Sequence, residues 1–191
     1  MFMNRAIKED LYRYIGKDCE HLLWQFRYFL FTPGFRYIYF FRRASQASFF
    51  LTRLFWHFCM RMCMYRTGIQ IPVGTRIGRG FRIVHFGPIV INPYCRIGTN
   101  FNISQGCLIG NSLGEKEGVP TIGDRVCMNA NAVVVGGVHI GNDVLIAPGA
   151  FINFDVPDHS IVIGNPGKII PQTSSPTEKY IVYPIPSNEH E

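Results

Sequence analysis

The chain has 191 residues, 47% of them hydrophobic, which excludes an intrinsically disordered protein and leaves room for one good core with a small appendage. The net charge of +6 is uneven, because Met1 to Arg82 holds 14 Lys and Arg against 4 Asp and Glu while the remainder holds 5 against 9. A basic front half without a nucleic-acid motif argues against nucleic acid, and leaves an anionic partner such as a membrane surface beside a merely solvated basic face.

The N-terminal stretch MFMNRAIKEDLYRY is charged within its first ten residues and has no apolar signal core. The six cysteines (Cys19, Cys59, Cys63, Cys95, Cys107, Cys127) show neither zinc spacing nor CxxC. Together these predict reduced thiols, no metal site and a cytoplasmic protein.

Residues 5 to about 66 read as helices with a break at Thr32-Pro33-Gly34. In FFLTRLFWHFCMRMCMY, Arg53, His57 and Arg61 lie four apart, so one face carries the charge over an otherwise aromatic and aliphatic helix. Charge interrupts it too often for a bilayer span. Two readings stand: weak peripheral contact with the inner face of a membrane, or packing against the protein's own core or a neighbouring subunit.

From Ile71 the chain falls into blocks of six. The leading positions are Ile71, Ile77, Ile91, Ile97, Ile103, then Ile122, Met128, Val134, Ile140, Ile146 and Ile152. The fifth position of a block is mostly small or β-branched, as at Thr75, Cys95, Cys107, Val126, Ala132, Val138, Val144 and Ala150. Gly, Asn or Asp often follows the leader. A period of six suits neither a 3.6-residue helix nor simple alternation. It predicts a solenoid with three short strands per coil, leaders stacked inward about 4.8 Å apart, and small residues in the corners. Two stretches break the period: Ile83 to Val90, which contains His85, and the polar insertion NSLGEKEGVPT from Asn111 to Thr121. Loops that leave a rigid solenoid are where function usually sits.

The blocks IGRGFRIVHFGPIVIN, ISQGCLIGN and PTIGDRVCMNANAVV, with the closing VPDHSIVIGNPGKII, resemble the serine acetyltransferase branch of the hexapeptide-repeat acyltransferases, from Asp10 to about Ile170. The resemblance implies an α+β chain, with a helical N-terminal region (1–68) and a left-handed parallel β-helix (69–170), against the usual right-handed crossover; the residues beyond it, PQTSSPTEKYIVYPIPSNEHE, read as an extended or loosely docked C-terminal tail (171–191). It implies acetyl-CoA as co-substrate with no metal required, and a homotrimer or dimer of trimers with the coenzyme between neighbouring β-helices. It maps the catalytic histidine onto His85, a general base for an acceptor hydroxyl. It maps coenzyme contacts onto Gly110, Ala130, Pro148 and Lys168.

The acceptor side departs from that branch. Val84 stands where the serine enzymes have an aspartate, Gln70 where they have a second carboxylate, and Val119 where they have a second histidine. Serine is a zwitterion, and unpaired buried charge is costly. The absent charges, with Glu115 and Glu117 available in the inserted loop, predict a neutral sugar acceptor: an O-acetyltransferase of a surface polysaccharide or its precursor. The alternatives are serine O-acetylation in cysteine biosynthesis and a non-catalytic trimeric scaffold.

Overall fold

The computed structural model describes residues 3–186. Four helices come first: α1 (Arg5–Ile15), α2 (Leu22–Phe31), α3 (Pro33–Gln46) and α4 (Phe50–Thr67). Each boundary has a local cause. Asn4 caps α1 by accepting the Ile7 N–H at 3.0 Å. Pro33 opens α3, where its missing N–H would have had no helical partner. Gly68, at φ 74, ends α4 in the left-handed conformation that glycine adopts most freely.

Fifteen short strands follow and stack into three sheets. The first holds β1 (Ile69–Gln70), β4 (Ile89–Ile91), β7 (Leu108–Gly110), β10 (Val133–Val135) and β13 (Phe151–Ile152). The second holds β2 (Arg76–Ile77), β5 (Arg96–Ile97), β8 (Thr121–Ile122) and β11 (His139–Ile140). The third holds β3 (Arg82–Ile83), β6 (Asn102–Ile103), β9 (Cys127–Met128), β12 (Leu145–Ile146), β14 (Ser160–Ile163) and β15 (Lys168–Pro171). All pairings between these strands are parallel except β14 with β15, which closes the solenoid as an antiparallel hairpin. The predicted parallel β-helix is the observed fold.

The register explains the period. Ile77 pairs with Ile97 and Ile97 with Ile122, while Ile103, Met128 and Ile146 pair in turn. All eleven leading residues are buried in one continuous core. The corner residues are buried too, but they are not uniformly small. Phe81 and Phe101 occupy the fifth position at the corner between the second and third sheets, their rings stacked at 5.9 Å and 15°. Smaller Val126 and Val144 continue that column.

The glycine that follows each leader of the second sheet, Ile77, Ile97, Ile122 and Ile140, has a steric cause. A Cβ on Gly98 would lie 2.7 Å from the backbone of Gly123, and Gly78, Gly123 and Gly141 are crowded in the same way. The turn itself falls two residues later, where Gly80, Asn100, Arg125 and Asp143 take φ of 71, 55, 55 and 54. Gly98→Ala is therefore expected to destabilise by about 1–3 kcal/mol through overpacking. Gly110→Ala is its control in thermal unfolding, since a Cβ there meets nothing closer than 3.6 Å.

The outer face of the third sheet is covered from both ends of the chain. α1 and α3 pack on β3. Between them lies a buried ion pair: Arg42 donates to Asp10 from Nε at 2.7 Å and from Nη2 at 3.1 Å. Arg42 also donates to the carbonyls of Ile77 and Gly78 at 2.7 and 2.6 Å, and Asp10 accepts the Phe81 N–H at 2.8 Å. Burial pushes the Asp10 carboxyl up, and Arg42 opposes that rise. Beyond β15 the chain turns back over the same sheet. Asn100 exchanges two 2.9 Å hydrogen bonds with the backbone of Ile185, and Asn102 donates to the Tyr180 carbonyl at 2.9 Å. Asp143 accepts from Thr177, from Ser175 at 2.7 Å, and from the ring of His159 at 2.9 Å. Burial raises the Asp143 carboxyl, but these donors outweigh it and hold the group below the usual carboxylate range. The tail expected over 171–191 thus shares Pro171 with β15 and is docked as far as residue 186; residues 187–191 lie outside the described residues.

Candidate active site

The register locates both interruptions. A regular coil takes six residues from the third sheet to the first, as from Ile103 to Ile109, whereas the first coil takes eight between the residues paired with them, from Ile83 to Ile91. The two extra residues make the loop 84–88, which carries His85. The second interruption lengthens the connection from Ile109 to Ile122 at the opposite edge of the first sheet.

The His85 loop is held at both ends. The Val84 N–H donates to the Ile103 carbonyl at 2.8 Å, and the Pro88 carbonyl accepts from Gly106 N–H at 2.7 Å. Gly87, at φ 158, lies over Gln105, whose Cβ would stand 2.9 Å from a Cβ added there. Ile83, two residues before His85, is clamped from the helices. The Tyr14 hydroxyl donates to the Ile83 carbonyl at 2.9 Å and accepts its N–H at 3.0 Å. A Cβ on Gly34, at the start of α3, would come within 3.0 Å of the Ile83 side chain. Burial pushes the Tyr14 phenol up, so it stays protonated and able to donate. Tyr14, Gly34 and Gln105 support the loop, and sequence reasoning placed none of them at the site, reading Gly34 only as part of a helix break. Only Gln105 carried a signal, its position within ISQGCLIGN. Its Oε1 is buried and has no hydrogen-bond partner among the described residues.

His85 itself is exposed, and its ring has no hydrogen-bond partner among the described residues. Neither Gln70 nor a backbone carbonyl among the described residues orients the ring. Gln70 faces outward on β1 beside Val90.

The other candidate residues divide between two edges. On the His85 edge, Gln105, Ala130 and Pro148 occupy equivalent places in successive coils, linked by Asn131 N–H to Gln105 carbonyl at 3.0 Å and Gly149 N–H to Ala130 carbonyl at 2.9 Å. Ala130 is half-buried and Pro148 exposed. At the opposite edge lie Gly110 and the inserted loop. That loop is a small hairpin: Ser112 and Gly118 exchange backbone hydrogen bonds at 3.0 and 3.1 Å, and the Lys116 carbonyl accepts from Gly137 N–H at 2.9 Å. Glu115 and Glu117 are exposed, Val119 is half-buried, and Lys116 pairs with Asp155 at 3.0 Å. Lys168 is exposed on β15, on the third sheet and apart from both edges. Between the edges the first sheet presents a ladder of Gln70, Val90, Leu108, Val133 and Phe151. Two concavities, about 510 Å³ across Arg76, Arg96 and Asp124 and about 900 Å³ between α1, Arg79 and residues 184–186, do not include His85.

A period-six β-helix with a histidine loop at one corner and a polar insertion at the next is the architecture of a hexapeptide-repeat acyltransferase. A serine acetyltransferase of Bacillus subtilis is 33% identical over 174 residues, 88% of this chain and 77% of the relative. The solved structure of serine acetyltransferase from Neisseria gonorrhoeae superposes with a TM-score of 0.73 at 26% identity, over 89% of this chain and 66% of that one. The same enzyme solved in complex with serine gives 0.71, over 86% and 67%. No protein-family model matches the chain. The chain belongs to the serine acetyltransferase family, O-acetyltransferases built on a left-handed β-helix and supplied by acetyl-CoA.

This overturns the sugar acceptor and the place in polysaccharide synthesis that the sequence suggested. The error has a physical source. The penalty for unpaired charge applies to buried groups. Here His85, Gln70, Glu115 and Glu117 are all exposed, and Val84 and Val119 are only half-buried. On the single chain that rim is open, so charge partners missing from this chain alone do not exclude a zwitterion.

Proposed function

We propose that this chain transfers the acetyl group of acetyl-CoA to the hydroxyl of L-serine. The family relationship over 174 residues is the observation that carries the reading, and the anchored loop bearing an exposed, uncommitted imidazole supports it. In this reading His85 takes the proton of the serine hydroxyl as its oxygen attacks the thioester carbonyl. The tetrahedral adduct then expels the coenzyme thiolate, which takes that proton back from the imidazolium, leaving O-acetylserine and CoA. Both substrates bind together, so no acyl-enzyme is needed. Gly110, on one edge, and Ala130 and Pro148, on the other, line the coenzyme path; Lys168, apart from both edges, is assigned to the nucleotide end by the family resemblance alone, while Gln70, Val84, Glu115, Glu117 and Val119 border the acceptor. At Gly110 neither a close contact nor a positive φ demands glycine, so the requirement is assigned to the approaching coenzyme.

The oligomer follows from the divided site. His85 and the inserted loop flank one sheet whose outer ladder is largely apolar. A trimer in which that ladder meets a neighbouring copy would bring the His85 edge of one chain to the loop edge of the next. The measurement is thiol release from acetyl-CoA by the purified chain, with L-serine, a panel of free sugars, or no acceptor. Release with L-serine at least about tenfold above both comparisons is expected, the scale of a productive acceptor against an unreactive one. No serine-dependent release would overturn the reading.

A further inference from the structure

Between Glu20 and Glu115 the chain contains no acidic residue, yet it contains eleven arginines. All of α2, α3 and α4 lie in this run. α4 turns only one side to the protein: Trp56, Cys63 and Thr67 face inward, with Trp56 packed on Tyr39 and Phe40 of α3 at 6.0 and 6.3 Å. Its opposite side is also apolar. Leu51, Leu54, Phe55, Phe58, Met62 and Tyr65 recur every three or four residues and are all exposed, Leu54 at 59% and Phe58 at 64%. Exposed Arg61 borders that stripe on one flank, with exposed Arg53 further round the same side, and exposed Arg66 borders it on the other. α2 lies on the same two α3 rings through Phe29, at 4.9 and 5.6 Å, and exposes Leu22, Leu23, Leu30 and Phe31. Apolar exposure on this scale marks an interaction surface.

We propose that the outward faces of α2 and α4 dock the protein on an anionic lipid bilayer. Two observations select that occupant. An apolar stripe with arginines on its flanks fits a helix lying in the interface, its rings among the acyl chains and its guanidinium groups at the phosphates. A second copy apposed through the same face about a two-fold axis would set the arginines of α4 against their own copies, and α2, α3 and α4 offer no carboxylate to pair them. No described helix is long and apolar enough to cross the membrane, so the contact is peripheral. The inference is independent of which acceptor the enzyme uses.

The test is co-sedimentation of the full chain with phosphatidylcholine vesicles, with and without phosphatidylglycerol, at low and high salt. Binding to the anionic vesicles at low salt, largely lost at high salt, is expected. Each basic residue at such a surface strengthens partition about fivefold, so R53Q/R61Q should weaken it roughly thirtyfold. L54S/F58S should weaken it as well without changing the oligomer mass by light scattering. Circular dichroism establishes that both variants are folded. Absence of pelleting with anionic vesicles, or binding that neither variant changes, would overturn the proposal. A drop in mass with L54S/F58S, with vesicle binding unaltered, would assign the face to a second copy instead.

Discussion

His85→Ala is expected to lower acetyl transfer by about a hundredfold or more, the usual worth of a positioned general base. Acetyl-CoA affinity and oligomer mass should stay as in the wild type, because the ring touches no hydrogen-bond partner among the described residues and the loop is anchored by backbone bonds from Val84 and Pro88. Steady-state kinetics with acetyl-CoA and L-serine check it, alongside coenzyme titration and light scattering. A variant that turns over at near-normal rate would make His85 a turn residue, and the base would have to be sought elsewhere. A variant that loses its coenzyme affinity as well would show that the ring shapes the coenzyme path and is not confined to proton transfer.

The largest expected loss of stability comes from Asp10→Ala. Its carboxylate accepts two bonds from Arg42 and one from the Phe81 N–H, and it is fully buried. Removing it leaves a nearly buried guanidinium without its counter-charge, a change that typically costs about 3–5 kcal/mol. Each kcal/mol moves the midpoint of a chain this size by roughly 2–4 °C, so thermal unfolding should fall by roughly 6–20 °C. Asp10→Ala combined with Arg42→Met should recover much of the loss, because no charge is then left unpaired. If both single and double variants melt like the wild type, α1 and α3 are held to the first coil by packing alone.

The solenoid was legible because its cause is local and repeated. Every coil places an aliphatic residue inward and crowds a glycine against the coil above, so the same physical demand is written into the sequence many times. The loop that carries His85 was legible for a related reason, since two extra residues interrupt a counted period. What was misread had no repeat to reveal it. Phe81 and Phe101 fill corners expected to be small, the ring of one coil stacking on the ring of the next. Tyr14 and Gly34 reach Ile83 from helices that are far away in the chain, and no spacing forecasts that meeting.

The acceptor was misjudged for the same reason. The residue types at positions 70, 84 and 119 were read correctly, but their energetic meaning depends on how much water reaches them, and exposure belongs to the assembled surface. The sequence by itself determined the period, the strand order, the basic front and the position of the candidate base. Only the tertiary structure decided that the candidate residues fall on two edges of one sheet, that the tail docks over the third sheet, and that α4 keeps an apolar face outward. Those outcomes depend on which distant segments meet, and the free energy of burying a group is fixed only when its neighbours are known.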